Sequence, residues 1–179
     1  MGGLSTTAAP AQTPRPGRTH RPPRGPTLVA VLVGVGLIIA GRLWLLAPVI
    51  VASDSMDPAL KHGGLALLLK PDPGIDRAGP GSLVVFPHPD DGSPTVKRVV
   101  AIGGQSVAIE DSVLVVDGQS VDEPFVDSSL IDGTWFGPVA VPPGHVFVMG
   151  DNRGVSIDSR HFGSIPVEDL EATVLLPQN

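Results

Sequence analysis

The sequence contains no cysteine among its 179 residues. This absence excludes a thiol nucleophile, disulfide bonds and thiolate metal sites, and it leaves the redox compartment undecided. Lysine is also scarce, since only Lys61, Lys70 and Lys97 occur. A reaction that requires a lysine amine therefore has three candidates for it.

Acidic residues are absent before Asp54, although the sequence contains 18 of them. The part from Asp54 onward has seven Lys or Arg against these 18 acids, which is a formal charge of −11. Four arginines precede the longest apolar run: Arg15, Arg18, Arg21 and Arg24. A basic arm beside an apolar run indicates membrane topology more often than nucleic-acid binding, and an acidic domain binds nucleic acid poorly.

The first half of the chain changes composition sharply. Residues 1–25 are rich in Pro, Gly, Thr and Arg, and we predict that they form a disordered, basic, cytoplasmic tail. From Thr27 to Ala52 follow 26 residues whose one charge is Arg42, more than the roughly 20 that a membrane-spanning helix needs. We therefore predict a transmembrane anchor over residues 26–50. A cleaved signal peptide is the alternative, but its apolar core would be shorter.

Residues 51–179 are predicted to form an extracytoplasmic, mainly β domain. Short apolar or alternating runs with turn residues between them occur at 64–70, 82–86, 95–102, 105–109, 112–116, 145–149 and 171–176. Asp117-Gly118 is typical of a hairpin turn. Many short strands after one helix predict a twisted β-sheet that closes partly into a barrel.

One segment of this domain contains candidate serine nucleophiles, and another contains a candidate lysine base. Ser53 and Ser55 follow the apolar run, and Lys97 lies in the apolar stretch from Val96 to Val100. A serine hydroxyl is a weak nucleophile that needs a base beside it. Burial lowers the pKa of a lysine and yields a neutral amine that can take the serine proton. The plain alternatives are a serine that caps a helix or turn and a lysine that faces outward from an edge strand.

A third segment, GDNRGVSIDSRHFG at residues 150–163, is densely polar. Its charged residues Asp151, Arg153, Asp158 and Arg160 alternate in sign, and ion pairs among them that merely fix the loop are the plain structural interpretation. Ser156 or Ser159 would orient the lysine amine by a hydrogen bond.

In this order, after an apolar segment, the three motifs resemble those of the type I signal peptidases, which are membrane-anchored serine endopeptidases with a Ser–Lys dyad. The family motif Ser-x-Ser-Met-x-Pro-Thr-Leu corresponds to SDSMDPAL. Lys-Arg-Val-Val-Gly-Leu-Pro-Gly-Asp corresponds to KRVVAIGGQ, and the third motif is present throughout as GDNRGVSIDSRHFG. The resemblance extends from the apolar segment to about Pro166.

The resemblance implies a role for each matching residue. It assigns the nucleophile to Ser55, the general base to Lys97, an oxyanion-hole hydroxyl to Ser53, the orientation of the lysine to Ser156, support of the site to Asp158 and Arg160, and a place in the substrate pocket to Met56. It further implies a signal-peptidase-like β-fold beside the lipid bilayer that cleaves preproteins after small residues at positions −1 and −3. No metal, organic cofactor or obligate protein partner is implied.

The chain departs from the family pattern beside the nucleophile. Asp54 replaces a small residue, and Ala59 replaces the usual threonine. A carboxylate beside Ser55 would favour protonated Lys97 and would oppose the mechanism. This departure and the short ectodomain leave open a maturation protease of the same superfamily with one dedicated substrate.

Two further alternatives differ in class. The first is a Ser–His–Asp hydrolase with His62, His88, His145 or His161 as the base, although no serine has the Gly-x-Ser-x-Gly surroundings. The second is a non-enzymatic anchored β-domain that binds a partner in the cell envelope. A close approach of Ser55 and Lys97 would distinguish an enzyme from such a domain.

Overall fold

A computed structural model of the chain describes residues 25–70, 78–126 and 133–176. The chain divides into two units, residues 1–37 and residues 38–179. The predicted tail lies outside the described residues except for Gly25, which begins the first helix.

The described residues of the chain form two α-helices, a 3-10 helix and eleven strands. In chain order they are α1 (Gly25–Leu45), β1 (Leu46–Ile50), β2 (Leu65–Leu69), β3 (Leu83–Pro87), β4 (Pro94–Ile102), β5 (Ser106–Glu110), β6 (Val113–Val116), β7 (Gln119–Ser120), β8 (Phe136–Ala140), β9 (His145–Met149), α2 (Ser159–Phe162), β10 (Ile165–Pro166), the 3-10 helix (Val167–Asp169) and β11 (Ala172–Leu176).

The strands form two antiparallel sheets. The larger sheet has the order β1-β2-β11-β3-β4-β9-β10 and curls as a partial barrel, and the smaller has the order β7-β6-β5-β8. The mainly β fold that the short apolar runs predict is confirmed. All seven predicted runs are strands, and each boundary agrees to within one residue.

The core explains why these runs are strands. In β9, Val146 and Val148 belong to one buried cluster, whereas Phe147 and Met149 belong to another. Successive side chains of a strand point to opposite faces, so β9 is covered on both. The second cluster also contains side chains of β5 and β6, and it therefore joins the smaller sheet to the larger one.

The hairpin predicted at Asp117-Gly118 is also confirmed. These two residues connect β6 to β7, and both have positive φ angles, 53° for Asp117 and 76° for Gly118. Two-residue hairpin turns of this handedness match the twist of the flanking strands, which is why aspartate and glycine are favoured there.

The helix is shorter than the anchor predicted over residues 26–50. α1 ends at Leu45, and residues 46–50 pair with β2 in the register Leu46↔Leu69 to Ile50↔Leu65. An apolar run does not by itself distinguish a buried helix from a strand. Pro48 lacks an N–H for a helix interior but is tolerated in an edge strand such as β1. Strands β8 and β10 were not predicted either.

Helix α1 exposes its large apolar side chains. Leu28, Leu32, Leu37 and Ile38 are each more than 60% exposed, with values of 62%, 63%, 69% and 65%. Within the described ranges, no helix has the length and apolar character that crossing a membrane requires.

Candidate active site

The two serines lie on the loop between β1 and β2, residues 51–64, which we call the serine loop. Its ends are tied together, because Val51 N–H donates to the Gly64 carbonyl at 2.9 Å and Gly63 N–H donates to the Val51 carbonyl at 2.8 Å. Met56 and Leu60 are buried in a cluster with side chains of β2 and β3. The loop is therefore fixed to the sheet by its apolar side chains, which leaves the serines at the surface.

The lysine lies opposite, on strand β4. Lys97 pairs with Val84 of β3 and is only 4% exposed. Its Nζ lies 2.8 Å from Ser55 Oγ, and Ser53 Oγ lies 3.1 Å from Ser55 Oγ. The three residues that the sequence pattern singles out are therefore brought together, although Ser55 and Lys97 are 42 residues apart. A binding domain without catalytic function does not predict this contact.

Burial lowers the pKa of Lys97 from its ordinary value of 10.5. The negative charges of Asp158 and, to a smaller extent, Asp151 raise this pKa, whereas the positive charge of Arg160 lowers it further. Desolvation disfavours the ammonium form, so the surroundings of Lys97 favour the neutral amine.

Asp158 organises the polar loop, residues 150–163. It caps α2 by accepting a hydrogen bond from Arg160 N–H, and it accepts another from Gly150 N–H at 3.0 Å. The Arg160 guanidinium donates to both carboxylate oxygens, at 2.8 and 2.9 Å. Burial alone would raise the pKa of Asp158, but the hydrogen bonds and charge of Arg160 outweigh it and hold the pKa below 3.8. Asp158 and Arg160 therefore form an ion pair within the loop, as the alternating charges allow.

The other two charged residues of the polar loop have partners outside it. Asp151 binds Arg98 of β4 instead of Arg153, through two hydrogen bonds of 2.7 and 2.6 Å. Arg153 binds Glu123 at 2.6 Å. Arg98 follows Lys97 directly, so its two-pronged pairing joins the lysine strand to the polar loop.

The hydrogen bond predicted between Ser156 and Lys97 is not formed in this structure. Ser156 is 4% exposed, and its Oγ has no hydrogen-bond partner within the described part of the chain. Ser159 is occupied elsewhere, because its Oγ accepts from Val148 N–H at 2.9 Å. Ser156 packs against Gly150, where an added Cβ would collide with the Ser156 hydroxyl and the Ser55 carbonyl. Gly150 thus permits the close approach of both segments.

Asn152 is a site residue that the motif reasoning did not single out. Its N–H donates to the Ser55 carbonyl at 3.1 Å, and its side-chain amide donates to the Asp54 carbonyl at 3.2 Å. Asn152 therefore holds the backbone of the serine loop from the polar loop. The Asp54 carboxylate is exposed and lies 3.6 Å from His62 Nδ1. The charges that shift the pKa of Lys97 come from other residues, so the expected effect of Asp54 is not observed.

A groove of about 430 Å³ opens beside the two serines and the lysine. Most of its lining is apolar and comes from β1, β2, the serine loop and β4, including Val51, Met56 and Val96. Met56 lines this groove, and its place in a substrate pocket stays a prediction. An extended peptide with small apolar side chains suits such a surface.

The histidines do not replace the lysine. The hydrogen-bonding neighbours of Ser55 Oγ are Lys97 and Ser53. His161 takes part in the cap of α2, and His145 Nδ1 lies 3.1 Å from the Pro143 carbonyl oxygen. The geometry therefore favours the Ser–Lys interpretation over a Ser–His–Asp hydrolase. Within the described residues, no group of three or more His, Asp or Glu could hold a metal ion.

The family model described as signal peptidase, peptidase S26, matches residues 25–178. This chain belongs to that family. Signal peptidase I of Bacillus caldolyticus is 34% identical over 163 residues, which is 84% of this chain and 87% of the relative. Signal peptidase I T of Bacillus subtilis is 32% identical over 148 residues, 78% of this chain and 77% of the relative.

Two further similarities cover less of the chain. Signal peptidase I of Mycobacterium tuberculosis is 45% identical over 89 residues, 44% of this chain and 30% of the relative. A crystal structure of a signal peptidase I from Enterococcus faecalis has 29% identity and a TM-score of 0.48, and it covers 54% of this chain and 94% of that one.

Membership of the peptidase S26 family confirms the resemblance seen in the three motifs. The prediction of a peptidase of the signal peptidase type is confirmed with it. The roles of individual site residues stay predictions.

We expect Asp158→Asn to lower the free energy of unfolding by about 3 kcal/mol at pH 7, because Arg160 would lose its partner in a buried site. The pKa of Asp158 is lowered in the folded protein, so its contribution is present above pH 3.8 and is lost as the pH falls through the lowered pKa. Urea unfolding at pH 7 and at successively lower pH measures both effects.

The exposed Asp169→Asn is the matched control, and it should change the unfolding free energy by less than about 0.5 kcal/mol. An Asp158→Asn protein as stable as the wild type at pH 7 would contradict the bracing role of Asp158.

Proposed function

We propose that the chain is a membrane-bound serine endopeptidase that removes N-terminal signal peptides from exported preproteins by a Ser–Lys dyad. The observation that carries this proposal is the 2.8 Å distance between Lys97 Nζ and Ser55 Oγ, with the lysine buried and its pKa lowered. The relatives named signal peptidase I support the same class of substrate.

The proposed reaction begins when neutral Lys97 takes the hydroxyl proton of Ser55, which attacks the scissile carbonyl carbon. The oxyanion that forms is stabilised by the Ser53 hydroxyl and the Ser55 N–H. Lys97 then gives its proton to the departing amine. It next takes a proton from the water that hydrolyses the acyl-enzyme. Ser53 Oγ lies 3.1 Å from Ser55 Oγ, which supports its place in the oxyanion hole.

Two arginines near Lys97 partly offset the acidic charges that oppose its role as a base. Asp158 and Asp151 both favour the charged form of Lys97, and each is paired with an arginine, Arg160 and Arg98. These pairs brace the polar loop as the motif resemblance predicts for Asp158 and Arg160. Within the described residues, the buried Ser156 hydroxyl of the same loop has no hydrogen-bond partner, which leaves it available for its predicted role of orienting the Lys97 amine.

The groove suits the proposed substrate. A signal peptide would lie extended in it, with the scissile carbonyl at Ser55 and its small residues at positions −1 and −3 against the apolar lining. Val51, Met56 and Val96 contribute to that lining.

The membrane location is proposed from the sequence. The run from Thr27 to Ala52 is apolar and follows four arginines, which favours a cytoplasmic N-terminus and an extracytoplasmic catalytic domain. Helix α1 adds support, because a helix whose exposed surface is apolar needs lipid or protein around it. An anchor would hold the site where the substrate's own signal segment is embedded.

A dedicated maturation protease with one substrate is the second candidate, and the acidic Asp54 was the residue that favoured it. Its carboxylate lies beside His62 and is exposed. The similarity to several proteins named signal peptidase I over most of their length favours general processing instead. Cleavage of one preprotein out of several tested side by side would reverse this preference.

Replacement of either dyad residue should abolish cleavage. Ser55→Ala removes the nucleophile and Lys97→Ala removes the base, so each should reduce kcat by at least about a thousandfold. The measurement is processing of several membrane-inserted preproteins by the full chain. Ser120→Ala and Lys61→Ala are matched controls on exposed residues and should retain activity. Retained cleavage by either dyad variant would refute the mechanism.

The activity should rise with pH as Lys97 loses its proton, with a midpoint below pH 10.5 because burial lowers the pKa of Lys97. Arg160 lowers that pKa further, so Arg160→Gln should move the acid limb of kcat/KM to higher pH. Arg160→Lys keeps the positive charge, so its acid limb should lie between that of the wild type and that of Arg160→Gln. An acid limb that stays in place or moves to lower pH would rule out this electrostatic effect.

The membrane orientation predicts which reporter works at the C-terminus. Alkaline phosphatase, which needs an extracytoplasmic position, should be active when fused after Asn179, whereas a cytoplasmic fluorescent reporter should not be. The four arginines supply the physical reason, because positively charged flanks stay in the cytoplasm. Replacing all four arginines by glutamine should weaken the preference for a cytoplasmic N-terminus and so reduce the difference between the two reporters. The opposite reporter pattern in the unchanged protein would disprove the orientation.

A further inference from the structure

One end of the substrate groove differs from the rest in chemistry. The groove is mostly apolar near the serine loop, but at the β3–β4 turn it is lined by His88, Ser93 and Thr95. These side chains can form hydrogen bonds with a ligand, whereas the small apolar residues expected at positions −1 and −3 need none. The polar end therefore has no role in the function proposed so far.

His88 is held in a defined orientation. Its ring packs edge-on against Phe162, with 5.3 Å between the ring centroids, and its side chain is 17% exposed. Nδ1 accepts a hydrogen bond from Asp90 N–H at 3.3 Å. In a neutral imidazole the other nitrogen then carries the hydrogen, so Nε2 is a donor. Within the described residues, Nε2 makes no hydrogen bond, and it is available to a ligand.

The distance along β4 indicates which part of a substrate reaches this end. Ser93 precedes Lys97 by four residues, which is about 13 Å at the roughly 3.3 Å rise of a strand. His88 lies at the level of Ser93, since its N–H donates to the Ser93 carbonyl at 2.8 Å. A substrate extended from the dyad covers the same distance in four residues. We infer that the residues before the scissile bond run from the dyad toward this turn. Positions −1, −3 and −5 share one face of such a strand, so in this orientation the side chain at −5 faces His88.

The charges of the turn restrict the ligand further. Asp90 and Asp91 carboxylates lie 3.9 Å from His88 Nδ1. Hydrogen bonds from the side chain and the N–H of Ser93 keep the pKa of Asp91 low, so this carboxylate is ionised at neutral pH. Negative charge at the turn repels a substrate carboxylate. A neutral side chain that accepts a hydrogen bond suits the site best.

We propose that His88, with Ser93 and Thr95, forms a subsite that selects a neutral hydrogen-bonding side chain, such as Ser, Thr, Asn or Gln, at position −5 of the signal peptide. His88 is thus a specificity-determining residue whose Nε2 donates to the substrate. The inference rests on the proposed signal peptidase function and adds a substrate preference to it.

The test compares two preprotein substrates that differ only by Thr or Val at position −5, since these side chains have similar shapes. The wild-type full chain should cleave the Thr substrate about three- to tenfold faster in kcat/KM, the range expected for one neutral hydrogen bond. An Asp substrate should be cleaved more slowly than the Thr substrate. In His88→Phe, which keeps an aromatic ring against Phe162, the Thr/Val ratio should fall to about one. In His88→Gln, which keeps a hydrogen-bond donor, the Thr/Val ratio should stay above one but below that of the wild type.

His145→Phe is the matched control, because His145 lies outside the groove, and its Thr/Val ratio should equal that of the wild type. A wild-type ratio of one would overturn the subsite without any variant. So would a His88→Phe enzyme that keeps the wild-type ratio. Failure of the proposed function has a different signature, because then neither substrate is cleaved by the wild type or both are still cleaved by Ser55→Ala.

Discussion

The site depends on the burial of one lysine. Lys97 loses water on strand β4, and desolvation lowers its pKa. Two carboxylates near it, those of Asp151 and Asp158, act against this shift. Each carboxylate has an arginine partner, so the ion pairs limit the field that would otherwise restore the ammonium form. The arginines near the lysine thus favour its neutral form as well as stabilising the fold.

The same pairs explain how three distant motifs meet. Arg98 adjoins Lys97 and reaches Asp151 across 53 residues of sequence. Asn152, the next residue, then holds two carbonyls of the serine loop. Gly150 has no side chain, which allows Ser156 and the serine loop to pack closely on either side of it. Each motif therefore contacts the others and holds them in place, in addition to contributing residues to the site.

The features that depend on local sequence pattern could be predicted, whereas those that depend on contacts between residues distant in sequence could not. The strands were recognised because apolar runs and turn residues alternate along the chain, and the dyad because its motifs resemble a family. The alternating charges of the polar loop allow ion pairs within it, but the partner of Asp151 is Arg98 on strand β4. The anchor predicted over residues 26–50 includes β1, because its apolar residues suit both a helix and a strand until the pairing with β2 is known. Packing of Ser156 likewise depends on tertiary contacts.

The unequal exposure of the dyad has a consequence for hydrolysis. Lys97 is buried and Ser55 is half-buried, whereas Ser53 is exposed. A peptide in the groove would cover the lysine further and strengthen the electrostatic interactions there. In the proposed mechanism, water for hydrolysis of the acyl-enzyme must still reach Lys97, and we infer that it enters by the exposed side next to Ser53 once the departing amine has left. The substrate in the groove and the water that enters near Ser53 would then approach Ser55 from different sides.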